Sequence, residues 1–440
     1  MSAPIATGAA GFLARFEALR DTLPGDPAIR AAAAEAFRAT GLPGAERGRR
    51  PVEAWKYTSL RPLAEASFRS GVIASATVMP DPDPAILPGT AVAAWNDLPE
   101  RIVGSGPAVT GGAEGTPRTI TFVNGVHHSG AVTRFADIPI LDTPDLARLP
   151  LVALNTMLAA DGAVIDVPAD ADYGTIVLVH VANTADAFHP RHAIRLGAGA
   201  RLTILETAES SAACLHNPVT TITVGPGAHL THVRIQNEAV SAFHLATIMV
   251  DIADHATYDG FTLNLGARMT RTEYQVRLSG PHAVAHMNGA QLLSGTQHAD
   301  FTSVVRHAEP HGTSRQTVKN VLAGRSRGVF QGRIEVARGA QKTDGYQMNR
   351  ALLLSPDAEI DTKPELEIFA DDVKCSHGAT VGELDADQLF YLRARGISEA
   401  EARAILVRAF LTEALEAVTN GAIRAILEAG VQGWWERQAA

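Results

Sequence analysis

The chain has 440 residues, 46% hydrophobic and 19% charged, the balance of a globular protein able to bury a large core. Its formal net charge of -9, with only five lysines and 5% aromatic residues, supplies neither a positive field for phosphate backbones nor a base-stacking surface, which counts against nucleic acid as a partner. Cys214 and Cys375 are the only cysteines, so no disulfide framework or CxxC zinc motif exists, and reduced thiols in the cytoplasm fit best.

Near the N-terminus, Phe12, Leu13, Phe16, Leu19 and Leu23 recur at helical spacing and line one face of an amphipathic helix. Arg15, Glu17, Arg20 and Asp21 interrupt that stretch, which a signal-peptide core would not tolerate. No run of about 18 apolar residues occurs, so no membrane span is expected. Asp26 and Pro27 open a second helix as cap and first residue, and GLPGAERGRRP ends it. Residues 79–117, with PDPDP and several glycines, read as an irregular connection that closes an N-terminal helical region and linker spanning 1–117.

From 118 to 383 the chain turns to short β-prone runs such as RTITFV, GTIVLVHV and HLATIMVDI, and no helix of normal length fits there. An internal echo places Ala200 and Leu202, Ala228 and Leu230, then Ala256 and Tyr258 at a step of 28 residues. Two strands of about 5 to 6 residues plus two turns account for such a step, so the pattern suits stacked coils better than a β-sandwich. The expectation is a mainly β fold, a right-handed β-helix core at 118–383 flanked by N-terminal and C-terminal helical regions.

The remainder, 384–440, reads as a C-terminal helical domain. Asp385 with Gln388, and Ser398 with Glu401, have capping-box spacing; Gly396 ends the first helix and Asn420-Gly421 the second. Ile405, Leu406, Ala409, Phe410 and Leu415 form a stripe suited to docking on the coils or on a partner.

Several catalytic patterns fail on inspection. No Gly-Lys dipeptide exists, so there is no P-loop, and GAGARL and GPGAHL lack the third glycine of a dinucleotide fingerprint. Gly324-Arg325-Ser326-Arg327-Gly328 matches GxSxG, with Asp344 and His377 in triad order, but GVFQGRIEV continues as strand where a nucleophile elbow needs a helix. His282, His286, His298, His307 and His311 crowd one stretch without HExxH spacing and read as surface or core residues rather than a metal site. Asp254 and Asp259 would suit a polysaccharide-cleaving β-helix, a class that is usually secreted. A cytoplasmic β-helix hydrolase or lyase is the alternative reading.

KTDGYQMNRALLLSP, TKPELEIFADDVKCSHGATVG and LFYLRARGIS, all within 339–398, resemble the signature of the SufD family, and EAWKYTSLRPL at 53–63 is similar to its other recurrent block. Together these blocks cover about a sixth of the chain. The paralogous SufB has a cysteine within the segment matching Tyr346 to Arg350 and a glutamate in a His-Glu-Ala-Thr run; this chain has Gln347-Met348-Asn349 and His377-Gly378-Ala379-Thr380 there. The resemblance implies a non-enzymatic scaffold of iron-sulfur cluster assembly, pairing with SufB and binding the ATPase SufC, with self-pairing open to the isolated chain. It also implies a transient cluster at the SufB interface and no tightly bound cofactor of its own.

Cys375 and His377 are two apart, so on a strand both face one side, and thiolate with imidazole is an iron-compatible pair that a partner chain would have to complete. Leu389, Phe390, Arg393, Arg395 and Phe410 are the expected partner-binding residues.

Overall fold

The computed structural model describes residues 7–45, 52–68, 118–136 and 146–439, so the connection expected at 79–117 lies outside them. From Arg118 onward successive strands alternate between two long sheets, one of 10 strands and one of 11 among the described residues. Apart from antiparallel pairs near the start of the β region, neighbouring strands are parallel, and the two sheets enclose a β-solenoid of about 8 turns.

The register carries the 28-residue step: Arg201 lies beside His229 and His229 beside Thr257. Later coils vary in length, shorter where Thr257 lies beside Val284 and longer where Thr313 lies beside Asp344 and Asp344 beside Lys374, which is why the sequence echo fades. Alternation of side chains sends Leu202, Leu230, Tyr258, Phe301 and Phe330 into a continuous interior, where each fully buried large apolar side chain contributes about 1.5–3 kcal/mol. The turn glycines of GAGARL and GPGAHL are required by the backbone: Gly199 and Gly227 have φ of 67° and 66°. In the following coils His255, His282, His311 and Lys342 take the same left-handed turn conformation.

The N-terminal helices α1 (Gly8–Leu19) and α2 (Pro27–Thr40) form as expected, with Asp26 accepting from the Ala28 amide. They join the short α3 (Arg61–Ala64) and α4 (Pro150–Leu158) in an apolar cluster on one flank, against Ala187, Leu215, Phe243 and Met269. Helix α4 corrects the expectation that 118–383 holds no helix. Every residue of PLVALNTML is buried, so no polar face marks it in the sequence.

Residues of the EAWKYTSLRPL block lie along the outer face of the second sheet. The Trp55 ring stacks 4.0 Å from the Arg271 guanidinium, Thr58 donates to Asp300, and the Gln331 amide donates to the Ala54 carbonyl at 3.2 Å.

Three C-terminal helices follow: α5 (Ala386–Ala394), α6 (Glu399–Leu415) and α7 (Gly421–Ala439). Asp385 and Ser398 cap α5 and α6, whereas Asn420 caps α7 through the Ala422 and Ile423 amides, so Asn420-Gly421 opens a helix rather than only closing one. Helices α6 and α7 pack on the outer face of the first sheet through Val407, Leu411, Leu415, Leu427 and Trp434 against Val233, Phe261, Leu263 and Leu292.

Candidate functional site

Among the described residues no coil follows the last one of the solenoid. There, strands Glu359–Ile368 and Lys374–Gly382 each pair on one side, leaving a row of backbone groups at the end of both sheets with no described strand beside it. Hydrophobic side chains stay exposed around this end, including Phe369 at 66% and Val381 at 55%.

Cys375 and His377 both lie on the edge strand Lys374–Gly382. His377 is in register with Gln347, which is fully buried in the preceding coil, so the imidazole holds an interior position that none of the described residues covers. Cys375 is in register with Gly345, where a Cβ would lie 3.3 Å from the thiol; the glycine clears space for the sulfur. The thiol is half-buried against Ile334, Val336, Ala340 and Ala370. Burial pushes its pKa up, the Asp344 carboxylate adds to that, and a hydrogen bond with the Gly345 backbone opposes both. The sulfur is therefore a protonated thiol near neutral pH until a cation binds it.

Behind this mouth a column of amides runs through the interior: Gln236, Asn264, Gln291 and Asn320 follow one another in strand register, and Asn349, in register with Val318, joins them two positions off. Hydrogen bonds of 3.2, 2.7 and 2.7 Å link Asn264 through Asn349, which then donates to Thr362 in the last coil. Gln236, at the far end, donates to Glu238 at 3.0 Å.

Glu238 belongs to a buried polar cluster that the sequence reading missed. Its carboxylate meets His216 Nδ1 at 3.0 Å and His244 Nδ1 at 2.7 Å. His180 packs 5.0 Å from the His216 ring and 5.1 Å from that of His192. Glu206 meets His232 at 2.9 Å and Arg234 at 3.2 Å. Burial opposes ionisation of Glu206, yet Arg234 and His232 outweigh it and hold the carboxyl well below its usual range. Burial keeps His180 neutral far below its ordinary pKa and lowers His192 to about 4. One signal for this cluster was available: His216 and His244 are separated by the 28-residue repeat.

The other expected residues are scattered. Ser326 is fully buried in a turn and its hydroxyl has no hydrogen-bond partner among the described residues, while Asp344 is bound to Arg315 at 2.7 Å, so no triad is assembled. His282 and His311 stack at 4.6 Å on the turns, His286 binds Asp259 at 2.6 Å, His298 meets Thr58 at 2.9 Å and His307 meets Ser314 at 2.9 Å.

Helix α5 buries none of its residues; Phe390 is 73% and Tyr391 57% exposed, Leu389 is half-buried, and Arg393 reaches Glu399 at 3.5 Å. Arg395 lies 5.0 Å from the Tyr391 ring. Phe410 faces the solenoid instead, half-buried, with its ring 5.0 Å from the Lys319 ammonium and its carbonyl accepting from the same group. The buried residues of α6 are Ala402, Ala404, Val407, Leu411, Ala414 and Leu415, so of the expected stripe only Leu415 is buried and Ala409 is exposed.

Residues 179–410 match the family model described as SUF system FeS cluster assembly, SufBD core domain. An iron-sulfur cluster assembly SufBD family protein of Synechocystis is 34% identical over 279 residues, covering 60% of this chain and 62% of that protein. The iron-sulfur cluster assembly protein SufD of Escherichia coli is 37% identical over 244 residues, 55% of this chain and 57% of its own length. The chloroplastic protein ABCI7 of Arabidopsis thaliana is 36% identical over 209 residues, 47% of this chain and 44% of that protein. The chain thus spans between about two fifths and three fifths of the length of these relatives. No described helix is long and apolar enough to cross a membrane.

Proposed function

This chain belongs to the SufBD core family of the SUF system of iron-sulfur cluster assembly, and on that premise we propose that it is a non-enzymatic scaffold subunit of a cluster-building complex. The observation that carries the reading is the uncapped last coil, which holds His377 and Cys375 in interior register yet open to a partner. The cluster is cargo at this mouth. One imidazole and one thiol supply two ligand atoms, against the four a cysteinate cluster takes, so a second chain completes the set.

The partner at the open end is a paralogous solenoid of the SufB type. Unpaired parallel edges in both sheets suit another β-edge, and exposed Phe369 and Val381 suit an apolar rim. The ATPase of the SufC type docks on α5, where exposed Phe390 and Tyr391 stand between Leu389, Arg393 and Arg395. Ser326, buried and without a hydrogen-bond partner among the described residues, counts against a serine hydrolase.

Co-expression with both candidate partners, followed by affinity capture and mass spectrometry, tests the reading. Recovery of a complex containing a second solenoid and an ATPase supports it. Capture of neither partner, or ester turnover by the chain alone that disappears in Ser326→Ala, refutes it.

A further inference from the structure

Among the described residues, His216, Glu238 and His244 are the one group of histidine, cysteine and carboxylate side chains whose ligand atoms all lie within 4.8 Å of one another. All three are at most 4% exposed. They meet at one corner of the solenoid: His216 and His244 lie side by side in register on neighbouring strands, and Glu238 follows strand His229–Asn237. Around them stands His180, itself only 4% exposed, with neither ring nitrogen hydrogen-bonded.

Charge adds a second argument. In this buried cluster two carboxylates, Glu206 and Glu238, face one guanidinium, Arg234. Arg234 is bound by Glu206 at 3.2 and 3.4 Å, whereas among the described residues the Glu238 carboxylate is met by two imidazoles and the Gln236 amide. A buried carboxylate without a cation is costly, and paired imidazoles with a carboxylate are the donor set of first-row divalent metals.

We propose that His216, His244 and Glu238 form a buried site for a divalent transition metal ion, Fe²⁺ or Zn²⁺, with His180 as the nearest spare donor. The ion takes the position now shared by the two Nδ1 protons and the carboxylate. Each histidine keeps one proton, which moves from Nδ1 to Nε2. Arg234, now 3.3 Å from His244 Nε2, withdraws onto Glu206, and the Gln236 amide remains on the Glu238 carboxylate to orient it. This site is separate from the mouth and does not depend on the assembly role.

The test uses Co²⁺, whose visible absorption reports its coordination, added to the full chain after chelator treatment. About one equivalent should bind per chain with bands of low coordination number, and Zn²⁺ should displace it. Losing even an outer-shell partner weakens metal sites about 10- to 100-fold, so Glu238→Gln should lose at least that. The double variant Cys375→Ser, His377→Ala should keep the bands. Anomalous diffraction at the cobalt edge from the unmodified protein locates the ion and decides the matter if Glu238→Gln does not fold. Absence of stoichiometric binding, bands that survive Glu238→Gln, or an ion located at Cys375 and His377 alone overturns the site, leaving a hydrogen-bonded carboxylate-imidazole network.

Discussion

His377 stands in strand register with Gln347, thirty residues earlier, and the two positions differ in what lies above them: Gln347 is fully buried by the next coil, whereas no described coil follows His377. An interior position at an open end is where a side chain reaches a partner without leaving the solenoid. His377→Ala should therefore leave the complex assembled, by size exclusion, while depressing cluster reconstitution. Cys375→Ser should have an equal or smaller effect, because its thiol is protonated near neutrality. Full reconstitution by His377→Ala removes the residue from the chemistry, and loss of the complex reassigns it to packing.

Helices α5 and α6 separate docking from packing. Phe390→Ala with Tyr391→Ala removes exposed side chains and should weaken ATPase capture without moving the urea midpoint. Leu411→Ala opens a cavity against the outer face of the first sheet and should cost about 2–5 kcal/mol. Removing residues 385–440 would strip that face and destabilise the solenoid. Unchanged capture by the α5 double variant would place the ATPase elsewhere.

The segment bearing Trp55 acts as a clamp on the second sheet. Trp55→Ala loses a buried ring over Arg271 and should cost about 3–5 kcal/mol by denaturant titration. A change under about 0.5 kcal/mol would mean that the clamp does not contribute to stability.

Stability should fall on mild acidification. Burial lowers His192 and His307 to about 4, and the His192 Nδ1 accepts the Ala163 amide at 3.0 Å, a bond only the neutral ring makes. The unfolded chain binds these protons near pH 6.5 and the folded chain does not, so stability is full above that pH and is lost as pH falls from about 6.5 to about 4. Each ring withdraws about 1–2 kcal/mol by pH 5. His307→Gln should flatten the profile between pH 7 and 5; an unaltered slope would show that this ring titrates normally.

Ser326→Ala should be neutral or slightly stabilising, since the hydroxyl is buried without a partner. A loss above about 1 kcal/mol in thermal melts would reveal a hydrogen bond at this turn.

Much of the architecture was legible because solenoid physics is local. Ala200, Ala228 and Ala256 repeat at one step since each coil buries the same position against the next, and Asp26, Asp385 and Ser398 mark helix starts because an unpaired amide needs an acceptor nearby. The pairing of Cys375 with His377 on one strand face was likewise a matter of two-residue spacing. Helix α4 left no such mark, being buried on all sides, and the docking face of α6 turned on which of its residues lie deepest against the sheet, Leu411 fully and Phe410 in part, which the neighbouring strands decide. The His216, Glu238 and His244 cluster lay furthest from view. Its members are 6 to 28 residues apart, and only the closing of one coil onto the next brings their side chains within 4.8 Å, because strand stacking sets distances of about 4.8 Å between residues that the chain itself separates by a whole turn.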